Sequence, residues 1–264
     1  MAKVLALDFD GVIVDSIREA FTVALRTVTG RDPTSRLAEH PLIASRSSPD
    51  LFPFAEDPTF RAFLDIVPLG NRAEDYSVIL SAIQDGTPVS DQNAYDRLYR
   101  GYDRAWLDEA HARFYIERTR LRDDDFEAWR RLQPPYKPLI ELLRSRSGDR
   151  VLAIVTARDA VSVQLLVEAW ALTDLFSSAL VFDKSYGVRK TGHLEALMEK
   201  LSTAPSGVIF VDDKLNHLQQ VAPLGVIPVL AAWGYNTPRE RLLAERAGIA
   251  VAKLEQAAEL LFVA

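Results

Sequence analysis

The sequence predicts an α/β protein: a doubly wound parallel sheet into which an all-helical segment is inserted. Three observations carry this expectation. The chain opens with a short continuous apolar run, Val4-Leu5-Ala6-Leu7, as expected of a strand covered on both faces. From Pro134 onward, short β-branched runs alternate with helical patterns, the rhythm of βαβ units. Between Ser16 and Gln133 the pattern is helical and no strand appears, so the N-terminal strand belongs to the later sheet and the helices interrupt it. The predicted domains are residues 1–15 with 134–264 for the α/β core, and residues 16–133 for the helical insertion.

The first strand runs into Asp8-Phe9-Asp10-Gly11. Ligands of open α/β sheets gather at the carboxyl ends of the strands, and Gly11 admits a turn that a Cβ would obstruct. Ser16 and Glu19 have the spacing of a capping box, and Ile17, Phe21, Ala24, Leu25 and Val28 recur at helical spacing up to Gly30, where the helix is expected to end. Prolines at 33, 41, 49 and 53 predict an irregular connection as far as Asp57, which caps a helix begun by Pro58. Asn71 and Glu74 frame a second capping box. Tyr95, Leu98, Tyr99, Tyr102 and Trp106 lie along one face of a helix beginning near Asp91, a stripe expected to pack in a core. Asp123-Asp124-Asp125, just before Phe126, is read as a helix N-terminus. Beyond Pro134-Pro135 the expected elements are helix 137–145, strand 151–155, helix 161–172, strand 179–182, helix 191–201, strands 208–211 and 226–230, and a helix opened by Thr237, Pro238 and Glu240.

Of the 264 residues 48% are apolar, enough for a full core. A net charge of −6 argues against a nucleic-acid or anionic-membrane partner, because both need a basic face. The absence of cysteine excludes disulfides, thiolate catalysis and cysteine metal sites together. Asp8 and Asp10 interrupt the N-terminal apolar run and no apolar stretch reaches membrane-spanning length, so a cytoplasmic protein without a signal peptide is expected.

The predicted strand ends gather Asp8, Asp10, Thr156, Asp212 and Asp213, with Lys190 in a neighbouring loop. Four carboxylates on one rim repel each other unless a cation sits among them. With oxygen donors, no cysteine and no histidine pair, Mg2+ is expected before Zn2+. Thr156 can hydrogen-bond phosphoryl oxygens and Lys190 can balance their charge, so the set reads as phosphoryl transfer.

Four motifs in this order, Asp8-Phe9-Asp10-Gly11-Val12, Thr156-Ala157-Arg158, Lys190-Thr191-Gly192 and Val211-Asp212-Asp213, resemble those of the haloacid dehalogenase superfamily in the branch with a helical cap, and they span nearly the whole chain. The resemblance implies a Rossmann-like core in which Asp8 attacks phosphorus to form an aspartyl-phosphate, while Asp10 protonates the leaving oxygen and then activates water. It implies Mg2+ held by Asp8, the backbone carbonyl of Asp10 and Asp212, with Asp213 directly or through water. It implies a phosphoryl group cradled by Thr156 and Lys190, with Ala157 and Arg158 of the same motif as further substrate-binding candidates, and an insertion that acts as a cap closing over substrate and excluding water.

Many capped members of that family place a second metal-site aspartate four residues after the first, where this chain has Asn216; the adjacent Asp213 is expected to take its role. Lys190, which opens the following helix as the family's lysine does, is preferred to Lys184. Thr156 is compatible with a helix N-cap as well; Arg158 can add to the anion site, but an exposed helix start is the preferred reading, and His217, four residues after Asp213, can face the metal, but a polar surface is preferred. Neither a dehalogenase nor a phosphonatase of this fold needs an acid two residues after the nucleophile, so Asp10 favours a phosphate ester as substrate. The expected function is a magnesium-dependent phosphatase of a small phosphorylated metabolite, with Arg46 and Arg72 of the insertion as candidates for substrate recognition. The alternatives are a phosphomutase on a sugar phosphate and a non-catalytic binding protein that keeps the fold.

Overall fold

Strand β1 (Val4–Leu7) is buried at every position because it lies inside a parallel sheet with neighbours on both sides. The computed structural model describes residues 3–44, 48–70, 72–187 and 189–262. After β1 the chain turns back on itself. The backbone N–H groups of Ile13 and Val14 both donate to the Phe9 carbonyl, and Gly11 donates to the Val14 carbonyl at 2.9 Å. Gly11 takes φ +77°, a conformation that glycine adopts without a Cβ penalty. The chain then folds as two compact units, residues 1–15 with 134–264, and residues 16–133.

Among its described residues the second unit contains no strand. Its helices are α1 (Ile17–Arg31), the single turn α2 (Pro41–Ala44), α3 (Pro58–Ile66), α4 (Ala73–Asp85), α5 (Gln92–Arg100), α6 (Arg104–Asp124) and α7 (Phe126–Arg131). Helices α1, α4 and α6 pack on one another. Phe21 of α1 meets Phe60 and Phe63 of α3 edge to face, at 5.1 and 5.2 Å between ring centroids. As expected, Asp57 caps α3 by accepting the Phe60 N–H, and the described residues of the proline-rich connection before it form only short turns.

Several local expectations for this unit are overturned by contacts distant in sequence. Glu19 does not form a capping box with Ser16. Its carboxylate is fully buried and accepts from Arg118 Nε (2.7 Å) and Nη2 (2.8 Å), with Trp129 Nε1 donating at 3.3 Å. A buried carboxylate needs such a partner more than a helix end needs a cap. Helix α1 runs through Gly30 to Arg31, and the extended Asp32 ends it. At α4 the capping acid is Asp75, which accepts the Arg72 N–H at 2.7 Å, because Glu74 is turned to His111 at 2.8 Å; Asn71 lies outside the described residues. The aromatic stripe is split between α5 and α6, since Asp103 caps a new helix. Of its five members only Tyr95 is fully buried, with its hydroxyl donating to Asp75 Oδ1. Asp123 and Asp124 end α6, and Asp125 alone caps α7 by accepting the Ala128 N–H.

The first unit continues with α8 (Lys137–Ser145), β2 (Val151–Val155), α9 (Ala160–Ala169), β3 (Val181–Phe182), α10 (Lys190–Leu201), β4 (Val208–Asp212), α11 (Leu215–Val221), β5 (Ile227–Ala231), α12 (Pro238–Arg246), β6 (Ala250–Ala252) and α13 (Ala257–Phe262). The sheet runs in the order β3-β2-β1-β4-β5-β6, with every pairing parallel. Strand order therefore reverses at β1, and the crevice beyond the carboxyl ends of β1 and β4 is the switch point where such sheets bind ligands. Between sheet and helices lies an apolar cluster that includes Val155, Phe182, Leu194, Phe210 and Leu230.

Thr237 and Glu240 form the expected capping box of α12. Two other elements depart from expectation. The strand expected over 179–182 shrinks to Val181–Phe182, because Ser177 accepts the Ala179 N–H and opens a 3-10 turn over Ser178–Leu180. The helix expected to reach Leu172 stops at Ala169, since Ala171 takes φ 53°.

Candidate active site

Register places the acids. Leu7 of β1 lies opposite Val211 of β4, so Asp8 and Asp212 leave adjacent strands side by side, and the Asp8 N–H donates to the Val211 carbonyl at 2.8 Å. Lys190, the first residue of α10, sends its ammonium between them: 2.7 Å from Asp8 Oδ1, 2.7 Å from the Val155 carbonyl and 3.6 Å from Asp212 Oδ2. The Phe9 N–H also donates to Asp8 Oδ1, at 2.7 Å. Asp8, Lys190 and Asp212 are all buried, whereas Lys184 is exposed in a 3-10 turn.

Burial pushes the Asp8 carboxyl well above the usual carboxylate range; Lys190 opposes this and Asp212 adds to it. Burial pushes Asp212 up too, but His217, Lys190 and the Lys214 N–H outweigh it and hold the carboxyl below the usual range. Burial alone would lower Lys190, yet Asp8 and Asp212 keep its ammonium above its ordinary value.

Asp213 also meets the turn after β1. Its Oδ2 accepts the Tyr235 N–H at 2.7 Å, and a Cβ on Gly11 would lie 2.7 Å from the same oxygen. Lys214 Nζ donates to the Tyr235 carbonyl at 2.8 Å, and the Tyr235 hydroxyl donates to Asp15 Oδ1 at 2.9 Å. Asp213 therefore packs against the turn at Gly11, where burial pushes its carboxyl up to about 6, with Lys214 opposing and Asp212 adding.

Two residues expected at the surface face the acids instead. His217 lies early in α11, with Nδ1 3.1 and 3.2 Å from the two Asp212 oxygens. Asp8, Asp212 and His217 each offer a ligand atom, all within 4.8 Å of one another. Two carboxylates and an imidazole fit a divalent cation: the oxygens suit Mg2+, and the nitrogen admits Mn2+ or Zn2+ as well. Asn216 accepts the His217 N–H and is not part of this group.

The second residue is Arg158, which does not open a helix at the surface. Its side chain is fully enclosed, and Nη1 donates to Asp10 Oδ1 at 2.7 Å. Its own N–H donates to Thr156 Oγ1 at 3.1 Å, while the cap of α9 is Asp159 and not Thr156. Ala157 between them is exposed. A positional signal for the Arg158 contact exists: Asp10 and Arg158 each stand three residues beyond the ends of the adjacent strands β1 and β2.

Asp8, Asp10, Asp212 and Asp213 are thus faced by three buried cationic side chains, Arg158, Lys190 and Lys214. These side chains supply part of the compensation that the sequence pattern assigns to an ion, and Asp8 and Asp213 still stand above the usual carboxylate range. Of the two insertion arginines, Arg46 lies outside the described residues and Arg72 is exposed before α4.

Among the described residues no helix is long and apolar enough to cross a membrane. No curated protein sequence matches the chain. Among solved structures, a haloacid dehalogenase-like hydrolase from Streptococcus pneumoniae aligns with TM-score 0.62 and 16% identity over 98% of each chain. A predicted phosphoglycolate phosphatase from Haemophilus somnus aligns with TM-score 0.62 and 16% identity, again over 98% of each chain. A predicted phosphatase from Clostridium acetobutylicum aligns with TM-score 0.63 and 13% identity, over 99% of this chain and 98% of its own. At these identities the likeness is one of fold. The model of the haloacid dehalogenase-like hydrolases matches residues 2–222, and the chain belongs to that family.

Proposed function

We propose that the protein is a magnesium-dependent phosphatase that hydrolyses a small phosphorylated metabolite through an aspartyl-phosphate at Asp8. The observation that carries this reading is the buried Asp8 carboxylate, held by Lys190 and the Phe9 N–H with Asp212 alongside. Both hydrogen bonds fall on Oδ1, which makes Oδ2 the attacking oxygen. A nucleophile fixed in this way loses little freedom on reaching phosphorus. The Lys190 ammonium balances charge on the transferred group, and the Thr156 hydroxyl, which accepts the Arg158 N–H, donates its proton to a phosphoryl oxygen. Asp10, whose side chain is 33% exposed, protonates the leaving oxygen and afterwards takes a proton from the attacking water.

Asp8, the Asp10 carbonyl and Asp212, with His217 beside them, would hold Mg2+, which when bound neutralises charge shared by the carboxylates and the phosphoryl oxygens. In this reading the helical unit, residues 16–133, is the cap that selects the substrate. Family membership supports hydrolysis, and the names of two fold relatives agree with a phosphate ester. The test is phosphate release from p-nitrophenyl phosphate with Mg2+, which Asp8→Asn is expected to reduce to the buffer rate. Undiminished turnover in that variant removes Asp8 as nucleophile and the mechanism with it.

A further inference from the structure

Arg158 is a long, always-charged side chain whose shaft and head are both enclosed, so its position is specified by the fold and not by solvent. Its backbone is pinned at both ends of the residue: the N–H donates to Thr156 Oγ1 at 3.1 Å, and the carbonyl accepts the Lys184 N–H at 3.3 Å. Its guanidinium carbon stands 5.9 Å from the centre of the Phe9 ring, over the residue between the two aspartates of the acidic turn. From there Nη1 reaches Asp10 Oδ1 at 2.7 Å. Asp10 is the one acid of the four with substantial exposure and sits on a turn, where an unheld carboxylate samples several rotamers.

Resting on the function proposed above, we infer that Arg158 is a positioning residue for Asp10. It acts on the leaving-group and water steps through that carboxylate and is not a ligand of the substrate phosphate. The guanidinium sets the position of Asp10 Oδ1 relative to Asp8, so that the second oxygen of Asp10 faces the bond being cleaved. During phosphoryl transfer the bond from phosphorus to the leaving oxygen breaks, the bond to Asp8 forms, and the proton passes from Asp10 to the leaving oxygen. In hydrolysis the proton returns from water to Asp10 as water oxygen attacks phosphorus and Asp8 is released. Arg158 exchanges no proton in either step.

The experiment is single-turnover release of the phenol with enzyme in excess, which isolates transfer to Asp8, for two probes. Phenyl phosphate has a basic leaving group that needs protonation, and p-nitrophenyl phosphate has one that hardly does. Arg158→Ala is expected to slow phenyl phosphate by about 10²-fold, and p-nitrophenyl phosphate by less than about tenfold, with KM, read separately in the steady state, little changed. Arg158→Lys keeps the charge but not the fork and should recover part of the loss. If Arg158→Ala does not fold, the same comparison is made with Arg158→Lys and Arg158→Gln.

In an Asp10→Asn background, a residue acting only through Asp10 adds no further loss for phenyl phosphate. Equal losses for both probes with a raised KM, or additive losses with Asp10→Asn, overturn the inference and return Arg158 to the substrate phosphate. Asp8→Asn, run in parallel, separates this outcome from failure of the mechanism itself: if that variant is active, the mechanism falls, and if it is inactive, only the role of Arg158 is at stake.

Discussion

Gly11→Ala places a methyl group at the point where fold and site meet. Gly11 holds φ +77°, which costs a residue with a Cβ about 1–2 kcal/mol. The new carbon would lie 2.7 Å from Asp213 Oδ2, 2.8 Å from Asp213 Cγ and 3.1 Å from Tyr235 Cδ2. Asp213 is buried and gripped by the Tyr235 N–H, so it cannot swing aside as an exposed carboxylate would. Relief requires either breaking that charged hydrogen bond or shifting the turn, at about 1–3 kcal/mol. The expected loss is about 2–5 kcal/mol in total, read as a lower midpoint in urea unfolding followed by far-UV circular dichroism. Because the same turn carries Asp8 and Asp10, a displacement of about 1 Å should lower turnover of p-nitrophenyl phosphate about 10²-fold. Gly30→Ala is the control: it lies inside α1 with no atom within 4 Å of an added Cβ, and should stabilise by about 0.5–1 kcal/mol. If Gly11→Ala keeps full turnover and stays within about 0.5 kcal/mol of the parent, the crowding at Asp213 does not constrain the site and the reasoning fails.

Arg118→Met leaves Glu19 buried without its two-point partner and should destabilise the helical unit by about 3–5 kcal/mol. Adding Glu19→Leu should restore most of that loss, read as hydrogen exchange of α1 and α6 amides; a single-variant loss under about 1 kcal/mol contradicts the burial. Thr237→Ala removes the cap of α12 and should cost about 1 kcal/mol without altering turnover, and a change in kcat would show that this helix start is coupled to the site. Removing divalent cations with EDTA should stop turnover and lower the melting midpoint. Mg2+ at about a hundred times its Kd should return about 2.7 kcal/mol of stability, a gain that Asp212→Asn abolishes. Indifference of both midpoint and turnover to EDTA would exclude a metal.

Local pattern sufficed wherever the cause was local. A continuous apolar run announces β1, Asp57 before Pro58 announces a capped helix, and Thr237 with Glu240 announces another, because each depends on residues within a turn of each other. Strand β6 is not legible in the sequence, since three residues, Ala250–Ala252, carry too short a pattern to stand out. In the sequence Glu19 reads as a capping acid, because a capping acid and an ion-pair partner have the same local signature. What distinguishes them is an arginine 99 residues away.

The sequence by itself determined which residue types stand at the strand ends, and hence that acids, a hydroxyl and an ammonium would be available for phosphoryl chemistry. Only the tertiary structure decided how they are shared. It set Lys190 between Asp8 and Asp212, turned Asp213 toward Gly11 and Tyr235, and brought His217 to Asp212 and Arg158 to Asp10. The physical reason is desolvation: a charge removed from water must find its opposite among whatever side chains the fold brings within about 3 Å. That neighbourhood is set by sheet register and strand order, not by spacing along the chain.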